Sequence, residues 1–376
     1  MRTSKTLSFA TIAFLAALNM PAAAQVVDNS DNTAYGTTSA EFLLLGAGAR
    51  GTALGGAFAA LSTDITAMYY NPAGLAQLAR PGAMVSTYQY LADTRYSWFG
   101  TAFPMAGGAR AIGLSVGTFG FSDQPVTTVE NPDGDGRVYN VNESFISGTY
   151  AQNFSDRFSA GVNIKYVHDE LGTAKATAFA LDLGTNFHAM VGGRPIRAAF
   201  VIANLGSTMA HSGSDMDVGV TREPPLGTVD VPQEPQPARL KSKDFGLPVM
   251  FRVSVALDIV HQSNNQLTLL SEFSQPNNTK PGAGMGLEWS AVNLGNSGFS
   301  LAARGSYTIQ PDNEVALTNA AGFDTQLGSG SFTKDGLAVG GGVGYGRGNF
   351  KIGFDYAYRD FGPLGGANFL SFSVSW

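Results

Sequence analysis

Asn368-Phe369-Leu370-Ser371-Phe372-Ser373-Val374-Ser375-Trp376 is the stretch that decides the fold. Leu370, Phe372, Val374 and Trp376 alternate with Ser371, Ser373 and Ser375, so one face of a terminal strand is apolar and the other hydroxylated. The chain then stops on an aromatic. In a soluble sheet a bare terminal Trp has nothing to fold over it. In a bacterial outer-membrane barrel the last strand closes the cylinder and its terminal aromatic sits at the membrane interface. Leu370, Phe372, Val374 and Trp376 are therefore the candidate C-terminal barrel signal.

The opposite end reads as a targeting segment. Arg2 and Lys5 form a basic region, Leu7 to Leu18 a short apolar core, and Ala22-Ala23-Ala24 before Gln25 supply small residues for cleavage. Residues 1–24 are read as a signal peptide, which makes the mature chain an exported one. The segment is too short to anchor in a bilayer, and no other run reaches the roughly eighteen apolar residues of a membrane helix. With no cysteine in the chain, disulfides and thiolate metal sites are excluded.

Composition points the same way. Charged residues make up 14 % of the chain, glycines number 47 and aromatics reach 11 %, whereas a soluble domain carries roughly a quarter charged residues. That is too little charge to cover a soluble surface of this size. Strands that turn every second residue to lipid and the others to a lumen reconcile the two observations. The acidic balance, 29 acids against 23 bases, argues against a nucleic-acid partner, which requires a basic face.

Period-two alternation between turn signals predicts an all-β transmembrane antiparallel barrel of about fourteen strands. They are placed near 83–92, 95–105, 109–120, 139–152, 157–169, 174–188, 194–204, 248–260, 265–275, 281–289, 298–309, 335–346, 349–359 and 367–376, so the barrel occupies residues 83–376. If the N-terminus is periplasmic, the long connections Phe121 to Val138, Leu205 to Leu247 and Gln310 to Lys334 all face outside. The connections after even strands are short turns on the periplasmic side. Both termini are then expected in the periplasm, with the chain placed in the outer membrane by barrel assembly machinery.

Phase separates lipid from lumen. Phe251, Val253, Val255 and Leu257 oppose Arg252, Ser254 and Asp258, and Phe350, Ile352, Phe354 and Tyr356 oppose Lys351, Asp355 and Arg359. Lys165, Asp182, Arg197, Glu272, Glu288 and Arg304 also fall on the polar phase of their strands. A lipid-facing Arg or Lys at mid-bilayer costs about 2 to 4 kcal/mol, so these eleven charges are assigned to the lumen, either as paired filling or along a water path.

Residues 25–82 precede the first strand and do not alternate. Glu41 to Leu45 and Thr52 to Leu61 are apolar and glycine-punctuated, suited to short helices, and Asn71-Pro72-Ala73-Gly74 is a turn that ends them. Left outside, this apolar segment would face water, so it is expected as a hatch inside the lumen. A barrel of about fourteen strands has a bore wider than its own side chains fill.

The run Gly48-Ala49-Arg50-Gly51-Thr52-Ala53-Leu54-Gly55-Gly56-Ala57-Phe58-Ala59-Ala60-Leu61, then Asp64, then Tyr69-Tyr70-Asn71-Pro72-Ala73-Gly74-Leu75-Ala76, resembles the N-terminal signature of the PorV/PorQ family of outer-membrane proteins. That family is related to the FadL-like long-chain fatty-acid transporters, which share the Asn-Pro-Ala turn, a fourteen-stranded barrel and an N-terminal hatch. Outside Gly48 to Ala76 the likeness is one of architecture. The resemblance implies that Asn71, Pro72 and Ala73 form the hatch turn against the wall and that Arg50 is the arginine of the Gly-Ala-Arg element. PorV-like members are implied to bind secreted protein cargo in type IX secretion and surface attachment. FadL-like members are implied to pass hydrophobic small molecules through the lumen to a lateral opening.

Other motifs have plainer explanations. Gly46-Ala47-Gly48-Ala49-Arg50-Gly51 fits the dinucleotide fingerprint, but no strand-helix repeat surrounds it, and small residues for tight hatch packing explain it better. Asn131, Asp133 and Asp135 resemble the start of a calcium loop whose twelfth position is Asn142 rather than the bidentate Glu, leaving a weak calcium candidate in what is otherwise an Asp-Gly turn. The four histidines have no zinc spacing, and no nucleophile elbow is present. No cofactor is expected. The long proline-bearing connection from Leu205 to Leu247 is read as extended and mobile. Three functions are thus ranked: a non-enzymatic cargo-binding and shuttling barrel, a passive transporter of hydrophobic molecules, and a barrel enzyme.

Overall fold

In hydrocarbon every backbone N–H and C=O has to be paired within the protein, and a sheet closed on itself does this without leaving an edge. The computed structural model, which describes residues 36–129, 131–221, 234–310, 317–318, 324–325, 336–362 and 365–376, has that form. Its fourteen barrel strands are β1 Gly82–Gln89, β2 Arg95–Met105, β3 Arg110–Pro125, β4 Val138–Ser155, β5 Phe158–Leu171, β6 Ala174–Val191, β7 Arg194–Gly206, β8 Met250–His261, β9 Asn265–Pro276, β10 Gly282–Ala291, β11 Phe299–Ile309, β12 Gly336–Arg347, β13 Phe350–Asp360 and β14 Gly366–Ser375. Each neighbours the next, and β14 returns to β1, so the sheet is a closed antiparallel barrel. Every predicted strand has its counterpart, in order. The ends differ most at β3, which runs on to Pro125, and next at β1, β4 and β6, which end at Gln89, Ser155 and Val191.

The closing seam pairs Gly82 with Ser375 through to Tyr88 with Phe369. Beyond it the Trp376 N–H donates to the Pro81 carbonyl at 3.1 Å. Leu370, Phe372 and Trp376 are exposed on the outside of the wall, while Ser371 is buried within. At the end where β1 begins and β14 finishes, the connections are the tight ones of 106–109, 156–157, 192–193, 262–264, 292–298 and 348–349. Strands β3, β7 and β11 end at the opposite side, where their long connections depart; most of Gln310 to Lys334 lies outside the described residues.

The lipid-facing band can be read from register. On β5, Phe158, Val162, Ile164 and Tyr166 point outward, a span of eight residue steps, or about 26 Å along the tilted strand. Aromatic contacts mark its short-turn edge, with Phe103 against Trp376 at 6.4 Å, Phe154 against Phe158 at 6.1 Å and Phe299 against Tyr345 at 4.9 Å between ring centroids. At the long-loop edge Phe99, Val116, Ile146, Tyr166 and Phe179 lie side by side across β2 to β6.

Two features depart from the sequence reading. The connection after β7 is structured in part: Asp217–Val220 pairs with Gln236–Arg239, and Arg239 holds Asp217 at 2.5 Å. Pro237 sits on this two-stranded ribbon opposite Gly219, where the lost N–H costs no sheet bond of the barrel. Met209 and Leu247 from the same connection are buried in the core. Pro224, Pro225 and Pro232 lie outside the described residues, as does the segment read as a signal peptide. The second departure concerns the chain's course before β1. Thr38 bridges to Gly246, in the long connection between β7 and β8, so the first described residues lie at the end opposite Trp376.

Candidate functional site

From Thr38 to Leu78 the chain runs through the inside of the barrel and meets its wall on most sides. At the long-loop end the Ser39 N–H donates to the Gly246 carbonyl at 2.9 Å, and the Asn278 side chain donates to Glu41 at 2.9 Å. Phe42, in the short 3-10 turn Glu41–Leu44, packs against Phe119 and Phe145 at 6.5 and 6.1 Å.

The middle of the segment is the short helix α1, Ala49–Ala53. It is tight because its residues are small. A Cβ on Gly51 would lie 2.5 Å from the Tyr70 ring, so the close approach of α1 to Tyr70 requires glycine there. The fingerprint-like glycines of 46–51 thus serve packing, as the sequence reading held for this stretch. The Ala49 N–H donates to Ser371 Oγ at 2.7 Å, Ser306 Oγ donates to the Ala53 carbonyl at 3.0 Å, and Thr308 Oγ1 donates to the Gly55 carbonyl at 3.3 Å. Leu54 and Phe58 are fully buried beside them; each such side chain stabilises the seat by about 1.5 to 3 kcal/mol.

Arg50 is the electrostatic centre. Its Nε and Nη2 donate to the two carboxylate oxygens of Glu288 at 2.8 and 2.7 Å, and its Nη1 donates to Asp64 at 2.8 Å. Its guanidinium also lies 5.1 Å from the Phe58 ring centroid. Glu288 accepts a further bond from Arg304 Nε at 2.6 Å, and Arg304 Nη1 reaches Asp355 at 2.6 Å. The result is a continuous row, Asp64–Arg50–Glu288–Arg304–Asp355, that runs from the hatch across β10, β11 and β13. Asp64 is itself held, its second oxygen accepting from the Thr66 N–H at 2.9 Å. Bidentate pairing of this kind fixes orientation as well as energy.

The turn at Asn71 secures the other end. Asn71 Oδ1 accepts from the Ala73 N–H at 3.1 Å, and Nδ2 donates to the carbonyls of Ala59 and Thr185 at 3.0 and 3.2 Å. Pro72–Gln77 then forms a 3-10 helix against the inner wall. Two wall glycines make room: a Cβ on Gly184 would lie 2.2 Å from Asn71 Oδ1, and one on Gly161 would lie 2.5 Å from the Pro72 carbonyl carbon. Ser159 Oγ donates to the Ala73 carbonyl at 3.2 Å and Asn153 Nδ2 to the Ala76 carbonyl at 2.9 Å.

The remaining charges assigned to the lumen divide into separate groups. Glu272 accepts the Ala59 N–H at 3.1 Å and faces Arg252 at 3.9 Å, whose guanidinium lies 5.8 Å from the Tyr70 ring. Lys165 and Asp182 meet at 2.7 Å and share Asn204. Arg197 pairs with Asp258, which also accepts from Thr268 at 2.9 Å. Arg359 stacks over Phe361 at 5.3 Å. Lys351 is exposed at the short-turn end, beside the Ser375 register position. In the connection after β3, Asp135 is taken by Arg137 at 2.6 Å, while Asn131 and Asp133 stay exposed. Among the described residues no group of three or more His, Asp or Glu side chains is placed to hold a metal.

Sequence reasoning missed Asp64 as a partner of Arg50, and Asn153, Ser159 and Thr185 as wall partners of the turn. It also passed over Gly161 and Gly184, although a glycine inside a strand marks a close backbone approach.

The hatch segment and the first half of the barrel are where a family likeness is found. Residues 28–209 match the PorV family, type IX secretion system protein PorV. Solved structures extend the likeness to the barrel as a whole. The CymD monoaromatic hydrocarbon channel is similar at a TM-score of 0.52 and 12 % identity, over 88 % of this chain and 97 % of that one. The toluene transporter TodX of Pseudomonas putida is similar at 0.52 and 10 % identity, over 88 % and 97 %. The toluene transporter TbuX of Ralstonia pickettii gives 0.50 and 13 %, over 89 % and 98 %. At such identities the likeness is one of fold, a closed fourteen-stranded barrel, and the family match covers its N-terminal part. No curated protein sequence matches.

Proposed function

We propose that this chain is a non-enzymatic barrel of PorV type that holds secreted protein cargo at its long-loop end, in type IX-like secretion and surface attachment. In this reading residues 1–24 direct export, the hatch seals the lumen, the long connections face outside, and the short turns and Trp376 lie in the periplasm. The observation that carries it is the anchoring of the hatch to the wall. The hatch is bonded to β4, β5, β6, β9, β10, β11 and β14, and every seam around the ring is backbone-paired. A hydrophobic solute travelling to a lateral opening would need both the hatch and a seam to yield. Cargo docking on the outer connections needs neither, and loops on a rigid scaffold are suited to binding.

Passive transport of hydrophobic molecules is the alternative. What favours it is a lumen lined with aromatics toward the long-loop end, where Tyr88 stands 4.0 Å from Phe369 and 5.3 Å from Tyr96 between centroids. One experiment separates the two. Shortening the connections 126–137 and 207–249 in the full chain is expected to abolish co-purification of secreted proteins while hydrocarbon uptake by the same cells stays unchanged. Retained cargo with lost uptake would reverse the order of the two readings.

A further inference from the structure

The rim of the barrel is stepped. Strands β1 and β2 are joined by the tight connection 90–94, whereas β3 and β4 run on to Pro125 and Val138, well past Gly120, the register partner of Arg95. Over this step lies an open concavity of about 660 Å³, bordered by Asp93 on the low side. Its wall is built in two rows directly above the lipid-facing Phe99, Val116, Ile146 and Tyr166. The first row pairs Ser97 with Thr118 and Thr118 with Ser144. The second pairs Arg95 with Gly120, Gly120 with Asn142 and Asn142 with Glu170. The alternation of the strands puts all of these on the lipid-facing phase, so the wall changes from hydrocarbon to dense polar groups within four residue steps, about 13 Å of strand.

Gly120 makes the hollow. It supplies no side chain between Arg95 and Asn142, and at φ +156° a Cβ would lie 1.9 Å from the Val141 carbonyl oxygen. The lining is chemically mixed: hydroxyls of Ser97 and Thr118, amides of Asn140 and Asn142, the Arg95 guanidinium, and carboxylates of Asp93 and Glu170. Asn140 is engaged by Asp123 at 2.9 Å and Glu170 by Lys175 at 2.7 Å. Among the described residues Arg95, Thr118 and Asn142 have no side-chain partner. Interspersed donors and acceptors of both signs suit neither a solvent-shy apolar solute nor a headgroup that offers phosphate alone. They suit a polyhydroxylated ligand, and the apolar row beneath supplies a seat for alkyl chains attached to it.

We propose that this step is a binding site for the saccharide headgroup of an outer-leaflet glycolipid, whose acyl chains lie along Phe99, Val116 and Ile146. The site rests on the reading that the long connections face outside. Native mass spectrometry of the full chain, released from detergent after incubation with rough lipopolysaccharide or with phosphatidylethanolamine, tests it. The wild-type chain should retain the glycolipid in preference. The double variant Arg95→Ala/Asn142→Ala, which loses two sets of headgroup bonds, should retain roughly tenfold less, and Thr118→Val should fall between. Unchanged heat-modifiable migration on gels certifies that each variant is a folded barrel. Equal retention by wild type and double variant, no preference over phosphatidylethanolamine, or equally tight binding of the lipid-free core oligosaccharide would overturn the proposal. These measurements on purified protein do not depend on orientation. Labelling of Ser122→Cys on intact cells tests orientation separately, so the two failures are distinguishable.

Discussion

Arg50 and Glu288 meet through two parallel hydrogen bonds of 2.8 and 2.7 Å, one partner on the hatch and the other on β10 of the wall. Glu288 is buried and also bound to Arg304, so removing the Arg50 guanidinium leaves a buried carboxylate with half its compensation. Arg50→Ala is expected to destabilise the chain by about 3 to 5 kcal/mol, and Arg50→Met/Glu288→Met by clearly less, because it removes both charges together. Urea unfolding in detergent, followed by tryptophan fluorescence, gives both values. Equal losses would mean that the pair is not coupled.

The same contact predicts a conductance change. If the hatch seals the lumen, Arg50→Ala should raise the frequency of open events in planar bilayers, and deletion of residues 26–82 should give a stably larger conductance. Unchanged conductance in the deletion would remove the sealing role.

Asn71 offers a test that distinguishes hydrogen bonding from size. Its amide nitrogen faces two carbonyls, those of Ala59 and Thr185. Asn71→Asp would point carboxylate oxygens at both and is expected to be worse than Asn71→Ala, with the Ala variant costing about 1 to 3 kcal/mol through unpaired buried groups. Thermal melts of the two variants in one detergent suffice to rank them.

Gly184→Ala is expected to overpack the turn, since the added carbon would lie 2.2 Å from Asn71 Oδ1, whereas Gly148→Ala meets nothing nearer than Leu114 at 3.9 Å. The first should cost about 1 to 3 kcal/mol and the second almost nothing. A similar loss at both positions would trace the effect to strand glycines in general.

The chain has no native cysteine, so single introduced thiols report position without background. Thr37→Cys, near the Gly246 bridge, should react with an impermeant maleimide on intact cells. Asn349→Cys, in the β12–β13 turn, should react only after the outer membrane is permeabilised. The reverse pattern would invert the barrel.

The fold was legible because lipid imposes a period of two on every strand and the long connections fall at one end. The polar phase of Lys165 and Asp182 can be read from that period, but their contact depends on the register of β5 on β6, which alternation leaves open. The partners of Arg50 were illegible for the same reason: Glu288 is 238 positions away, and only closure of the ring brings it near. The ribbon of 217–220 with 236–239 was hidden by Pro237 and the prolines around it, which argue against a strand wherever the ladder must be continuous.

Ser371 joins the last strand to Ala49 of the hatch, and the β1–β14 seam shuts the ring around both. A segment bonded to strands from β4 to β14 is hard to insert once the cylinder is shut around it. The order of assembly follows from this: the N-terminal segment has to be laid against an open, curling sheet, and the joining of first strand to last is the committing step. That step pairs Gly82 with Ser375, the widest separation of any strand pairing in the barrel, so the loop-closure entropy is met late. Variants that loosen the hatch are then expected to act first as slow-folding barrels, and only afterwards as leaky ones.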